Sequence, residues 1–494
     1  MLLELLGAAM IDADLDKLAY ENPHVHSVEI VKSDYSDEYS LTKKGDSFAK
    51  FYSKNKDVIK TVLSDFNSRK DKTEQYLKWV SLPREQLSGH LDEIYSQANT
   101  LKSRQGVIQR PLVVLGIGGS KHTAEFLLNM TGQNNGDVYF YSDIDPMSFN
   151  NFINNTKVGI QNLNFLVVTK SGTTFETQDA FKRFEQKLID YYISQDVRPK
   201  DARNMAQKHF AICTDSFAKD NNLRMQIRNN PNYIQKLYIH DGVGGRFSMF
   251  DDAGLFVLAY AGIPKAYTER ILSSAQRISN TYTRMDNIDE NSAMKNAMFN
   301  VYARNQGYNI LYQQYFGRFF EQGGENWAKQ LYLESLKDFD FVASKAPDSM
   351  HYATEGLYNH KNRKKYYVVM TTINPDVSLN YKHYTAAIRD TYASENPMIV
   401  EALDVEGNSI KPEAIGEYIQ SKHFETVFMG CMRRALNKKT KHDVYIQYPE
   451  VVQFNVETYK KKFKITRDDI DKALDINKPK LEADYKKYNV VPGR

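Results

Sequence analysis

Little in this sequence signals a special environment. Only two of its 494 residues are cysteines, Cys213 and Cys431. That scarcity excludes a disulfide-built scaffold and points to a reducing compartment, although one bridge between the two stays open. Excess charge of one sign is also missing. The formal net charge is +4, too small a field to draw nucleic acid or an anionic membrane. Short lysine runs, such as Lys438-Lys439 with Lys441 and Lys460-Lys461-Lys462, read as solvated helix faces. Long apolar runs are absent as well; residues 254–263 form the longest, far short of a bilayer span. The opening "MLLELLGAAM" is apolar but carries Glu4 and no basic flank, so it does not read as a secretion signal. The eleven histidines are scattered, with no H-E-x-x-H and no paired cysteines, so no metal is expected. These absences lead to the expectation of a soluble, cytoplasmic protein.

The length exceeds what one hydrophobic core usually holds, so two lobes or more are expected. Residues 1–104 are polar and helical in pattern, without a strong strand. After Pro111 short β-branched runs alternate with helical segments: 112–115, 138–141, 165–168, 210–213 and 237–239, with a helical stretch at 175–192. Such alternation predicts a parallel, doubly wound α/β sheet, whose ligands bind at the carboxyl ends of the strands. A long helical region over 252–304 precedes further strands at 309–312, 339–342 and 366–371, which reads as a second lobe. A helix is predicted over 412–436, with proline at its start, where a missing N–H costs least. The last 40 residues are helical in pattern. The expected division is a helical arm over 1–104, a first lobe over 105–246, a second over 247–440 and a helical C-terminal arm over 441–494. No internal repeat is evident.

Two strand ends carry unusual turns. The first is "VVLGIGGSKHTAEFLL", in which Gly116, Gly118 and Gly119 permit rare backbone angles and close approach of a ligand. Ser120 is expected at the N-cap of the following helix. A Gly-rich turn at a helix start suits an anion. The spacing G-x-G-G does not match the dinucleotide fingerprint, and the absence of G-K-[ST] excludes a P-loop. Alone, this turn is open between a tight connection and an anion site. The second turn is "TKSGTTFET", where Thr169, Lys170, Ser171, Thr173 and Thr174 precede a helix. Capping needs one hydroxyl; the surplus fits the several acceptor oxygens of a phosphate dianion.

"GIGGS" followed some fifty residues later by "TKSGTTFET" resembles a sugar-isomerase (SIS) domain and, more narrowly, the phosphoglucose isomerase family. Further motifs of that family occur in order. "VGGRFSMFDDAGL" places Arg246 at the family's arginine, and "WAKQLYLES" places Gln330 and Glu334 on one helix face. "DSMHYATEG" supplies His351, and "QFNVETYK" supplies Gln453 and Lys460. The resemblance spans about residues 105–465. It implies two SIS-type lobes and aldose–ketose isomerisation of glucose 6-phosphate and fructose 6-phosphate through a cis-enediolate. It also implies a homodimer that shares its active site, with His351 lent across the interface. Glu334 is then the proton shuttle, Arg246 faces the enediolate, and His351 with Lys460 opens the sugar ring while Glu176 orients His351. Gly119, Ser120, Thr169, Lys170, Ser171, Thr174, Gln330 and Gln453 bind the substrate. A base and an arginine suffice for enediol chemistry, so no cofactor is expected.

Each residue has a plainer reading beside that one. Glu334 could be an ordinary surface carboxylate, Arg246 a salt bridge at a seam, and Glu176 a favourable acid in a first helical turn. His351 could be a loop histidine and Lys460 one of three adjacent lysines. The sequence departs from the family at Lys121-His122-Thr123, at Leu336-Lys337-Asp338 and at Asn455. Another sugar phosphate, such as mannose 6-phosphate, or a non-catalytic sugar-phosphate binder are the alternatives. The joint presence of Glu334, Arg246 and Lys460 favours an enzyme.

Overall fold

The structure, a computed structural model, describes residues 24–30, 48–70, 76–104, 110–133, 138–156, 158–172, 174–215, 223, 227, 230–286, 288–336, 340–346, 366–374, 378–393 and 396–437. Two five-stranded sheets carry the fold. The first comprises β2 (Leu112–Leu115), β3 (Val138–Tyr141), β4 (Asn164–Val168), β5 (Phe210–Asp215) and β6 (Ile234–Ile239), all parallel in the order β3-β2-β4-β5-β6. The second comprises β1 (Val25–Ile30), β7 (Ile310–Phe316), β8 (Asp340–Ala346), β9 (Tyr366–Ile373) and β10 (Met398–Leu403), in the order β1-β10-β9-β7-β8.

Successive side chains of a strand face opposite sides, and the cores divide accordingly. Leu112 and Val114 of β2 and Leu166 and Val168 of β4 join the large central core. Their neighbours Val113, Leu115, Phe165 and Val167 join a separate cluster under the Phe175–Ser194 and Pro199–Gln207 helices. In the second sheet Tyr315, Tyr367 and Val369 face the central core, while Tyr312, Val368 and Met370 face the Leu379–Ala393 helix. The Lys265–Tyr282, Ser292–Asn305 and Pro412–Asn437 helices pack together within the central core. The layers therefore run helix, sheet, helix, sheet, helix. The α/β architecture with two parallel-sheet lobes is as expected, and the 412–436 helix begins at its proline. Cys213 and Cys431 are buried and not joined in a disulfide. Among the described residues no helix is long and apolar enough to cross a membrane.

Two expectations need correction. Residues 1–104 do contain a strand: β1 pairs antiparallel with β10, from Val25 opposite Leu403 to Ile30 opposite Met398. "VHSVEI" is short and half polar, so its partner, far along the chain, decides its state. The strand β10 was also unread, because Glu401 interrupts its apolar run; that carboxylate is buried against Lys422. The two sheets share one plan. By chain order within each, the parallel strands run 2-1-3-4-5 in the first and 2-1-3-4 in the second, where β1 takes the fifth place. No sequence repeat marks this, since only strand order recurs.

Candidate active site

In a sheet of order 2-1-3-4-5 the chain reverses direction of winding between β2 and β4, and ligands bind in the crevice beyond those strand ends. Both unusual turns lie there. After β2, Gly118 takes φ +59°, and the Gly119–Met130 helix begins at the next residue. Gly118 is thus the N-cap and Ser120 the second helical residue, which corrects the expected cap. A residue without a Cβ adopts this left-handed angle at least cost, so the glycine outcompetes the serine for the position.

Gly119 is where two distant segments meet. A Cβ there would lie 2.2 Å from the carbonyl carbon of Gly245, so the two backbones can approach this closely only with glycine at position 119. Gly245 starts the short helix Gly245–Phe250, whose second residue is Arg246. A Cβ on Gly118 would meet Gln330 Nε2 at 3.1 Å. The first turn therefore abuts both the arginine segment and the Gly324–Leu336 helix.

The second turn follows β4. Thr169 is buried, and its Oγ1 donates to Thr174 Oγ1 at 3.3 Å, while Thr214 Oγ1 donates to Thr169 O at 2.7 Å. Thr174 is the N-cap of the Phe175–Ser194 helix, yet its side chain makes no capping bond. Simple capping therefore does not account for this hydroxyl. Ser171 is exposed, and Glu176 is half-buried in the first helical turn. Lys170 Nζ donates to Val243 O at 2.9 Å and lies 3.5 Å from His240 O. This ammonium ties the hydroxyl turn to the segment that leads into Arg246.

Arg246 is 4% exposed. Its Nε donates to Ser335 Oγ at 2.7 Å, its Nη1 lies 3.4 Å from Glu334 Oε2, and its carbonyl accepts from Trp327 Nε1 at 3.2 Å. Burial lowers the guanidinium pKa from its usual value, and the Glu334 carboxylate opposes that shift. Gln330 Nε2 donates to Glu334 Oε1 at 3.0 Å, one helical turn away. Glu334 is thus held at both oxygens while keeping 28% of its side chain exposed. A carboxylate so oriented and still open to solvent can exchange a proton with a ligand. A buried guanidinium beside it can face developing negative charge.

Gly119, Ser120, Thr169, Lys170, Ser171, Thr174, Gln330, Glu334 and Arg246 thus lie on four neighbouring segments. Thr173, His351, Gln453 and Lys460 lie outside the described residues. Sequence reasoning missed Ser335 and Trp327, which hold Arg246 from the helix that carries Glu334. Their signal was present, for both stand inside "WAKQLYLES". At the departures from the family, Lys121 Nζ donates to Ser142 Oγ at 3.3 Å, beyond the end of β3. Thr123 Oγ1 donates to Gly119 O at 2.5 Å, within its own helix.

The fold is that of a two-lobed α/β protein with its two donor-rich turns at neighbouring strand ends. The family model for phosphoglucose isomerase matches residues 84–335, just over half the chain. The chain belongs to the phosphoglucose isomerase family, and membership makes it a sugar-phosphate isomerase. It is 28% identical over 337 residues to a glucose-6-phosphate isomerase of Staphylococcus haemolyticus, which covers 64% of this chain and 68% of that one. Its fold matches a glucose-6-phosphate isomerase from Chlamydia trachomatis, with TM-score 0.63 and 14% identity, over 85% of this chain and 91% of the other. A hypothetical protein from Thermus thermophilus matches with TM-score 0.66 and 18% identity, over 84% and 97% of the two chains. The family match ends at Ser335, so it includes Arg246, Gln330 and Glu334 but not the segments of His351, Gln453 and Lys460.

Proposed function

We propose that this protein interconverts glucose 6-phosphate and fructose 6-phosphate. The observation that carries the reading is the Arg246–Glu334 pair, 3.4 Å apart, on segments that abut the glycine turn after β2. Glu334 removes a proton from one of C1 and C2 and returns it to the other, while a hydroxyl proton passes in the same sense between O1 and O2. The electrons left behind form a cis-enediolate, whose negative oxygens face Arg246. Gln330 orients Glu334. The phosphate sits against the hydroxyls of Ser120, Ser171 and Thr174 and the start of the Gly119–Met130 helix, with Thr169 holding Thr174 from behind. Lys170 adds positive charge there.

His351 and Lys460 share the ring-opening step, which protonates the ring oxygen and removes a proton from O1. Glu176 orients His351, and Gln453 contacts the sugar. The assembly is a homodimer in which each subunit lends His351 to its partner. The reaction as written needs no cofactor.

A coupled assay of the purified protein on fructose 6-phosphate, with solvent deuterium, tests this reading. The wild-type protein is expected to turn over and to exchange hydrogen at C1. Glu334→Gln keeps the size and hydrogen bonding of the side chain but cannot accept a proton. Its exchange is expected to fall at least about 10²-fold, the lower end of a general base's contribution, while binding persists. Exchange at the wild-type rate would remove Glu334 from the role. Turnover of mannose 6-phosphate alone would move the substrate assignment.

A further inference from the structure

A second cluster of chemically capable side chains lies on the other flank of the Arg246 segment. His90 precedes the Leu91–Ser103 helix, His240 follows β6, and Asp252 opens the Asp252–Tyr260 helix. Each offers one ligand atom, and those atoms lie within 4.8 Å of one another. The two imidazoles are half-buried and the carboxylate is fully buried. The 150 positions from His90 to His240 explain why no ligand spacing is visible in the sequence.

The surroundings orient all three. His90 Nε2 lies 2.9 Å and 3.0 Å from the two oxygens of Asp252. Asp252 also accepts from the Tyr238 amide at 2.7 Å and from Gln86 Nε2 at 3.0 Å. Asp251, fully buried, sits 2.6 Å from His240 Nδ1 and also accepts from the Asp252 amide. A carboxylate behind a histidine fixes the ring and raises its basicity, as outer partners do at metal centres. Gln86 is fully buried and gives its Nε2 to Asp252 and to Phe250 O, yet its Oε1 has no hydrogen-bond partner. An acceptor so placed suits a hydrogen of water carried by a cation.

We propose that His90, His240 and Asp252 bind one divalent transition-metal ion of the zinc class. Two imidazoles and a carboxylate form a donor set that suits zinc. The partly exposed imidazole side leaves room for water as a further ligand. The ion joins the turn at Gln86–His90 to both ends of the stretch 240–252, which carries Gly245 and Arg246. It acts as a clamp on that stretch and takes no part in proton transfer.

Calorimetric titration of chelator-treated protein with Zn²⁺, and the visible absorption of Co²⁺, test the site. One ion per chain is expected, with a raised melting temperature. His90→Ala is expected to bind at least about tenfold more weakly and to lose the thermal shift. His90→Gln serves as a second variant with retained bulk and is expected to lose both in the same way. No saturable binding to the wild-type protein, or unchanged binding in both folded variants, overturns the assignment. Isomerase activity of the chelated protein is a separate readout, so failure here leaves the reading of Glu334 and Arg246 standing.

Discussion

At the scale of single residues, Arg246 and Gly119 do the most to shape the site. Arg246 reaches Ser335 and Glu334 with different nitrogens of one planar fork. Lysine keeps the charge but has no fork. Arg246→Lys is expected to lower turnover about 10²–10³-fold, as for loss of an oxyanion donor. Steady-state kinetics on a variant with a native circular dichroism spectrum checks this; full activity would make the arginine purely structural. Gly119 meets the backbone of Gly245, so no rotamer change can relieve an added methyl group. Gly119→Ala is expected to cost about 1–3 kcal/mol of stability, as overpacking does, and to raise KM by separating the two turns. A melting curve and a substrate titration read both effects. The pattern G-I-G-G-S was legible as a special turn. That its last glycine, Gly119, serves contact with another glycine segment was not, because Gly245 is over a hundred residues away.

At the scale of elements, the chain's local signals were good wherever a strand was short, apolar and bounded. β2 and β3 fall on the residues expected, and the Phe175–Ser194 helix starts where its hydroxyl turn ends. β1 and β10 escaped because polar residues break their patterns. The loop between the Pro199–Gln207 helix and β5 shows a polar residue used as core. His209 is buried, its Nδ1 faces Leu163 O at 2.7 Å, and its Nε2 faces Tyr192 Oη at 2.8 Å. Burial pushes its pKa down to about 4, so the ring is neutral in the folded protein near neutrality. The unfolded chain binds this proton at about 6.5. Unfolding therefore takes up a proton between those values. The contribution of His209 is intact above pH 6.5 and is lost as pH falls toward 4, about 3 kcal/mol in all. His209→Gln is expected to flatten that part of the stability–pH profile in urea unfolding. A profile as steep as wild type would place the acid sensitivity elsewhere.

At the scale of the molecule, the two sheets are joined by a central core in which charged groups are also buried. Lys422, on the Pro412–Asn437 helix, lies 2.5 Å from Glu401 of β10 and 2.9 Å from Glu425. Glu425 in turn accepts from Tyr332 Oη, on the helix that carries Gln330 and Glu334. The cluster connects the second sheet to the helix of the candidate base. Lys422→Met removes the cation and leaves two buried carboxylates. Loss of one partner from a buried ion pair typically costs about 3–5 kcal/mol, and a destabilisation of that size is expected in urea unfolding. A change below about 1 kcal/mol would show that the carboxylates had simply taken up a proton.

The amino-acid sequence by itself determined the strand–turn–helix units, the donor-rich turns and the helix that puts Gln330 one turn from Glu334. These depend on residues a few positions apart, where periodicity and turn chemistry act directly. Only the tertiary structure decided that Ser335 holds Arg246, that Gly119 touches Gly245, that Lys170 ties one turn to another and that β1 completes the second sheet. Each of those contacts joins segments separated by at least seventy residues. Their existence rests on the order in which the strands wind and on the packing of two sheets around shared helices, which no local pattern encodes.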